Sequence, residues 1–483
     1  MEEKNVEKVD NMTKYENETS EAQNEYDEFV TKTTEQSERK HEISFFGEFV
    51  PELQTFSLAN WWSRASPILR VVAGFICIFI TDGVMFSFPH SNTLSQELIK
   101  KVPYLQIVRK VQLCVYSLCG PLAANLCHRF GCRSVCIGGT LLATFGFLLA
   151  GHIVDASGVV GGLGCLVGVG MVFIFVSTII SMTDNDSKNR FFALGLSLSG
   201  IVVARVTFPS IVTSLMVESG WRVGYQALGG ITCLCLVSSL VMEPGVTGEH
   251  GERRGFLEER RVWLERMVGK RLARSRKLRE FIVFSVGHGI TASAATIILV
   301  HKPRLEEHLV LEMQEKLFIT GKVLGGMMGL VVGGASQDRG WFNPLPATRI
   351  IVMCAALASF LHSNSETVTT TFILSTNMGF FTGIITSLFL PLILTLVGSE
   401  LLPPGVGFST AVSGFCQIVI YIIVEQTNVF FSDPFQGFHT SGILFLLAGL
   451  VYTLAIWLDK KKEREQDMEM EPLYARNTGY QGV

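Results

Sequence analysis

Charge is what this sequence has little of. Only 17% of its 483 residues are Asp, Glu, Lys or Arg, against roughly 25% in soluble globular proteins. Too few side chains remain to keep a large surface wet, which argues against a soluble enzyme or a coiled coil. No CxxC pair and no cysteine–histidine clustering is present, so zinc-ligand spacing is missing. No Gly-Lys-Ser/Thr follows any glycine-rich stretch, which excludes a Walker-type phosphate loop, and there is no nucleophile elbow. Nothing therefore points to an enzyme or to a cofactor. A basic start followed by an apolar run is also lacking, so no cleavable signal peptide is expected.

What is present is grease: 48% of residues are hydrophobic and mean hydropathy is +0.37. The net charge of -3 hides a split. Residues 1–50 hold fourteen acidic against six basic side chains, a local charge of -8, which leaves +5 for the rest. An acidic, aliphatic-poor segment cannot bury enough apolar surface to offset its ordering entropy. Residues 1–66 are therefore expected to be a disordered, cytosolic N-terminal tail.

From Ile68 onward, apolar runs recur at lengths that suit helices crossing a hydrocarbon core, which takes about 20 residues. They fall near 68–90, 107–127, 134–153, 158–181, 190–217 and 221–242, then near 279–300, 312–335, 345–362, 368–396, 407–427 and 440–458. The expected fold is an all-α membrane protein with twelve transmembrane helices in two six-helix, pseudo-symmetric halves, 67–243 and 279–459. Between them lies a basic linker, 244–278, whose Leu257, Leu264, Met267, Val268 and Leu272 mark one apolar helical face that suits an anionic leaflet or a solvated linker equally. Eleven basic residues lie between Arg253 and Arg279, and more follow span 12. By the positive-inside rule these sides are cytosolic, which places both termini inside, including the C-terminal tail 460–483. The basic excess thus marks topology rather than nucleic acid, and the lipid bilayer is the first partner. The eleven cysteines lie in or beside spans and read as small packing residues. The glycines that crowd the spans let helix backbones approach.

Six spans, a loop and six more is the layout of a two-half carrier with its substrate at the midplane. Two loops in matching positions strengthen that reading: His128-Arg129-Phe130-Gly131-Cys132-Arg133, and Gly334-Ala335-Ser336-Gln337-Asp338-Arg339-Gly340. Both resemble the Gly-x-x-x-Asp-Arg-x-Gly-Arg loop of the major facilitator superfamily. The resemblance implies that Arg129, Arg133, Arg190, Asp338 and Arg339 belong to conformational-gating loops, pairing with helix ends in one state and releasing them in the other.

Within that superfamily the chain resembles the monocarboxylate transporter family. Phe88-Pro89-His90-Ser91 is similar to its Phe-Pro-Lys-Ser, and Asn189–Gly200 to its Lys-Arg-x-x-Ala-x-Gly-x-Ala-x-Ala-Gly signature. Gly220-Trp221-Arg222 and Leu396-Val397-Gly398 match two further stretches. The family's Asp-Gly-Gly-Trp-Gly-Trp opening is missing, its span-1 Lys is His90 here, and its span-8 Asp and Arg fall on Phe318 and Lys322. The resemblance implies a plasma-membrane carrier for small monocarboxylates or related organic anions by alternating access, with proton coupling in doubt. It also implies that a single-span ancillary glycoprotein can accompany it. The alternatives are a carrier of aromatic amino acids, hormones or amine-like solutes, favoured by His90, and a non-transporting sensor or scaffold.

Ionisable side chains inside spans are costly, and each is a functional candidate. Lys322 and His90 are expected to bind substrate: Lys322 as a point charge for a carboxylate, His90 as a titratable ring. Asp82 and Arg205 have no counterpart in the family patterns. Either Asp82 carries the proton that the missing span-8 acid would have carried, or the two form a fixed buried pair. His288 and Glu425 read as structural.

Overall fold

Lipid offers a backbone no hydrogen-bond partner, so an apolar segment of this kind crosses only as a helix. The computed structural model is helical and contains no strand among its described residues, which are 58–87, 105–152, 156–183, 189–242, 278–300, 310–363, 367–398, 401–427 and 436–478. The acidic segment up to residue 57, His90 and residues 243–277, nearly all of the basic linker, lie outside them. The chain divides into two units, Met1–Ala65 and Ser66–Val483, and the packing described below belongs to the second.

The first group of helices is α1 (Leu58–Ser87), α2 (Leu105–Leu118), α3 (Gly120–Phe130), α4 (Cys132–His152), α5 (Ala156–Val159), α6 (Val167–Thr183), α7 (Arg190–Thr232) and α8 (Leu234–Val241). A π-helical turn, Val160–Leu166, joins α5 to α6. The second group is α9 (Leu278–Val300), α10 (Val310–Asp338), α11 (Pro344–His362), α12 (Val368–Val397), α13 (Leu402–Thr427) and α14 (Gln436–Thr478). Among the described residues, ten stretches are long and apolar enough to cross a membrane. One of them, Arg190–Val241, turns at Gly220 and counts as two, and α2 with α3 supplies one more, which gives twelve. Both interruptions have local causes. Pro121 has no amide to donate, so the ladder breaks between α2 and α3. Gly220 sits at φ 79° and ψ 157°, a region open essentially to glycine alone.

α14 runs past the expected end of its span to Thr478. The stretch after Leu458 is rich in Lys, Glu, Arg, Gln and Met, all strong helix formers. α1 likewise begins at Leu58, ahead of the expected start at 67.

Helix contacts within each half depend on missing side chains. A Cβ on Gly146 would lie 2.8 Å from the carbonyl of Gly162, and one on Gly162 would lie 2.8 Å from that of Gly146, so α4 and the π turn meet backbone to backbone. In the second half, a Cβ on Gly325 or Gly329 would run into the carbonyl of Thr376 or Phe380, which fixes α10 against α12. Large apolar side chains such as Leu118, Val237, Phe415 and Leu450 point outward. On a water-soluble body that much exposed apolar surface would demand a partner; on this one it is the face that meets lipid. All eleven cysteines carry free thiols.

The two halves touch along two seams. α7 packs on α10, where Gly195 lies under the carbonyl of Leu330 and Gly334 under that of Phe191. α3 packs on α13, where a Cβ on Gly120 would lie 3.0 Å from the carbonyl of Gly407.

Candidate functional site

A cavity of about 200 Å³ lies between the halves, walled by α1, α2, α6 and α7 on one side and α9, α12 and α13 on the other. Half of its lining is aliphatic or aromatic, and hydroxyls dominate the polar remainder, which also holds one acid–base pair, a histidine and a glutamine. Asp82 on α1 and Arg205 on α7 meet in the wall contributed by the first half. The Arg205 guanidinium donates twice to the Asp82 carboxylate, Nε to Oδ2 at 2.9 Å and Nη2 to Oδ1 at 3.2 Å. The Asp82 side chain is 8% exposed and that of Arg205 24% exposed, so the arginine has the wetter side of the pair.

The threonines around this pair look polar in the sequence but are mostly spent. Thr81, Thr291, Thr296, Thr382, Thr386 and Thr410 each donate a hydroxyl proton to a carbonyl one turn back. They offer the cavity acceptor lone pairs and methyl groups, but no donor. Donors for a bound anion must come from elsewhere. Ser413 Oγ is buried in the cavity wall without a hydrogen-bond partner among the described residues. His288 also faces the cavity and makes no hydrogen bond among the described residues; its ring stacks on Phe389 at 4.2 Å and 25°.

Lys322 does not line the cavity. It is half-buried on α10, and its Nζ donates to the carbonyl of Ala295 at 3.4 Å, directly behind a wall residue. No carboxylate pairs with it among the described residues. The Asp82–Arg205 pair is neutral as a unit, and Lys322 is a further basic side chain beside the cavity.

The structure thus brings Asp82 and Arg205 together and sets Lys322 one residue behind the wall; His90 lies outside the described residues. His288, which reads as structural in the sequence, is a cavity residue. Its signal was available: a histidine between Gly287 and Gly289 in an apolar span, where the glycines bring α9 close to α14 and α13.

The loop residues divide by what they touch. Asp338, at the end of α10, accepts from the amides of Phe191 at 3.1 Å and Phe192 at 2.7 Å, and so caps the start of α7 in the other half. A carboxylate there complements the helix dipole as well as two unpaired amides. Arg133 donates twice to the carbonyl of Met242, at 2.9 and 2.6 Å, and closes the end of α8 within its own half. Arg129, Arg190 and Arg339 lie over the rings of Phe130, Phe191 and Trp341 at 5.4, 4.8 and 5.3 Å. Each loop turns at a positive-φ glycine, Gly131 at φ 82° and Gly340 at φ 62°, but in different registers: Gly131 lies two residues past Arg129 and Gly340 one past Arg339.

A family model for the Major Facilitator Superfamily matches residues 71–424, most of the chain. The chain belongs to the Major Facilitator Superfamily. Its fold and its relatives in this superfamily are those of transporters, not enzymes. Among curated proteins, this facilitator is 28% identical over 227 residues to monocarboxylate transporter 4 of Gallus gallus, a match that covers 46% of each chain. It is 29% identical over 133 residues to monocarboxylate transporter 6 of Homo sapiens, covering 28% of this chain and 26% of that one. The matches thus span less than half the length of these relatives. Among solved structures, the fucose:proton symporter FucP of E. coli in its outward conformation aligns with TM-score 0.57 and 13% identity, over 81% of this chain and 99% of that one. The proton:xylose symporter XylE aligns with TM-score 0.59 and 12% identity, over 81% and 95%. Sequence similarity to monocarboxylate transporters and the facilitator fold agree with the motifs read from the sequence.

Proposed function

We propose that this facilitator carries small monocarboxylates or related organic anions across the plasma membrane by alternating access. The observation that carries the reading is the charge balance of the central cavity: a neutral Asp82–Arg205 pair in its wall, with Lys322 adding a positive charge just behind it. An anion entering that space meets one cation more than it displaces, whereas an amine would have to take Asp82 from Arg205 first. The similarity to monocarboxylate transporters supports the same substrate class.

Within this reading, Arg205 exchanges partners. Protonation of Asp82 frees the guanidinium for the substrate carboxylate, which couples proton and anion in the way that the missing span-8 acid would have done. Lys322 attracts the carboxylate from behind Ala295, and His90 acts near the end of span 1. The Asp338 cap and the glycine seams hold the halves together at the end that carries the 128–133 and 334–340 loops. The Lys/Arg distribution makes this the cytosolic end, with both termini on the same side, and a single-span glycoprotein is the expected ancillary partner. The test is uptake of labelled lactate, pyruvate, aromatic amino acids and amines in cells lacking native carriers, at two external pH values. Uptake of carboxylates, faster at the more acidic pH, is expected; uptake of amines alone would overturn the reading.

A further inference from the structure

The cavity holds more aromatic surface than an acid of two or three carbons can use. Each half contributes an aromatic pair to the wall: Tyr116 and Phe175, with centroids 6.0 Å apart and planes tilted by 51°, and His288 and Phe389, 4.2 Å apart and nearly parallel. Phe284 backs the second pair, stacked on His288 at 6.2 Å and on Phe389 at 6.4 Å, so that platform is braced from within the protein. The volume of about 200 Å³ exceeds the ~150 Å³ in which an apolar protein cavity takes up benzene. Flat rings gain from stacked or edge contacts with such pairs beyond the burial of their area. Donors in the wall of the second half include the Ser413 hydroxyl, the Gln417 amide and one ring nitrogen of His288, which suit a polar group on a ring.

We infer that the preferred substrate is an aromatic monocarboxylate: its carboxylate draws on Arg205 and Lys322, and its ring packs against His288–Phe389 and Tyr116–Phe175. This rests on the organic-anion reading above and narrows it. His288 and Phe389 are then specificity-determining residues, and they discriminate ring from no ring rather than charge from no charge.

The test uses the full-length protein purified in detergent, with ligand binding read as thermal stabilisation, since a ligand that binds only the folded state raises its melting temperature by mass action. Pyruvate is compared with phenylpyruvate, acetate with benzoate, and benzyl alcohol serves as a ring without a carboxylate. The expected result is that each ring-bearing acid binds about tenfold more tightly than its partner, with no response to benzyl alcohol. Phe389→Leu, close in volume, and His288→Gln should each reduce that ratio to about twofold or less while the response to pyruvate persists. The wild-type ratio decides the matter even if a variant misfolds. Equal binding of pyruvate and phenylpyruvate by the wild type overturns the aromatic preference and leaves the organic-anion reading standing. Protection by none of the four acids overturns both, and protection by benzyl alcohol equal to that by phenylpyruvate overturns the carboxylate assignment.

Discussion

Removing either member of the Asp82–Arg205 pair strands the other in a space with little water, and the structure says which loss is worse. Arg205→Leu leaves the Asp82 carboxylate 8% exposed with both of its hydrogen bonds gone. Breaking a buried pair this way costs about 3–5 kcal/mol. Asp82→Leu leaves a guanidinium that is 24% exposed toward the cavity, and partial hydration should hold that cost to about 1–3 kcal/mol. The double variant Asp82→Leu/Arg205→Leu removes both charges and should be nearly neutral, because the desolvation of two ions disappears along with their attraction. The coupling between the two sites is therefore expected to be at least about 3 kcal/mol. Equilibrium unfolding of the four proteins in mixed micelles measures it. A double variant as unstable as the sum of the singles, with coupling under about 0.5 kcal/mol, would refute the reasoning, since that is how independent sites behave.

Three further outcomes follow from the geometry. Gly220→Ala places a side chain at φ 79° and should destabilise by about 1–3 kcal/mol, whereas Gly230→Ala, with nothing near its Cβ, should not; unfolding midpoints in detergent compare the two. Gly325→Ala should leave no folded protein on size-exclusion chromatography, because its Cβ would strike the Thr376 carbonyl, while Gly138→Ala, which meets nothing, should elute as wild type. Asp338→Asn removes the charge that caps α7 and should weaken the closure between halves by about 0.3–2 kcal/mol. Spin-label distances between the end of α3 and the start of α11 would register that as a larger open population, and an unchanged distribution would count against an interlocking role for Asp338.

Hydropathy placed the spans well because lipid imposes one rule on every residue of a crossing segment. The bounds expected for spans 3, 9 and 10 lie within two residues of α4, α11 and α12. Where sequence reasoning fell short, the missing information was three-dimensional. Nothing local to Leu118 or Cys119 marks a helix break apart from Pro121, and the continuation of α14 to Thr478 obeys helix propensity instead of hydropathy. Asp82 and Arg205 stood out as ionisable residues in apolar spans, but their separation of 123 positions hides a double hydrogen bond. Lys322 was legible as a buried cation, while the intervening Ala295 carbonyl was not. His288 reads as structural because a lone histidine in a helix is usually packed inside; its flanking glycines mark close helix packing, and the meeting of α9 with α12 adds that its ring lies on Phe389 in the cavity wall.

Counterflow in proteoliposomes tests the central claim most directly. Vesicles loaded with unlabelled phenylpyruvate and holding the wild type, Arg205→Gln or Lys322→Met would be exposed to trace labelled phenylpyruvate. Saturable accumulation by the wild type, lost in Arg205→Gln and weakened in Lys322→Met, is what an anion cavity with Arg205 in its wall and Lys322 behind it predicts. Equal accumulation in all three, or competition by amines and neutral alcohols as strong as by carboxylates, would contradict it.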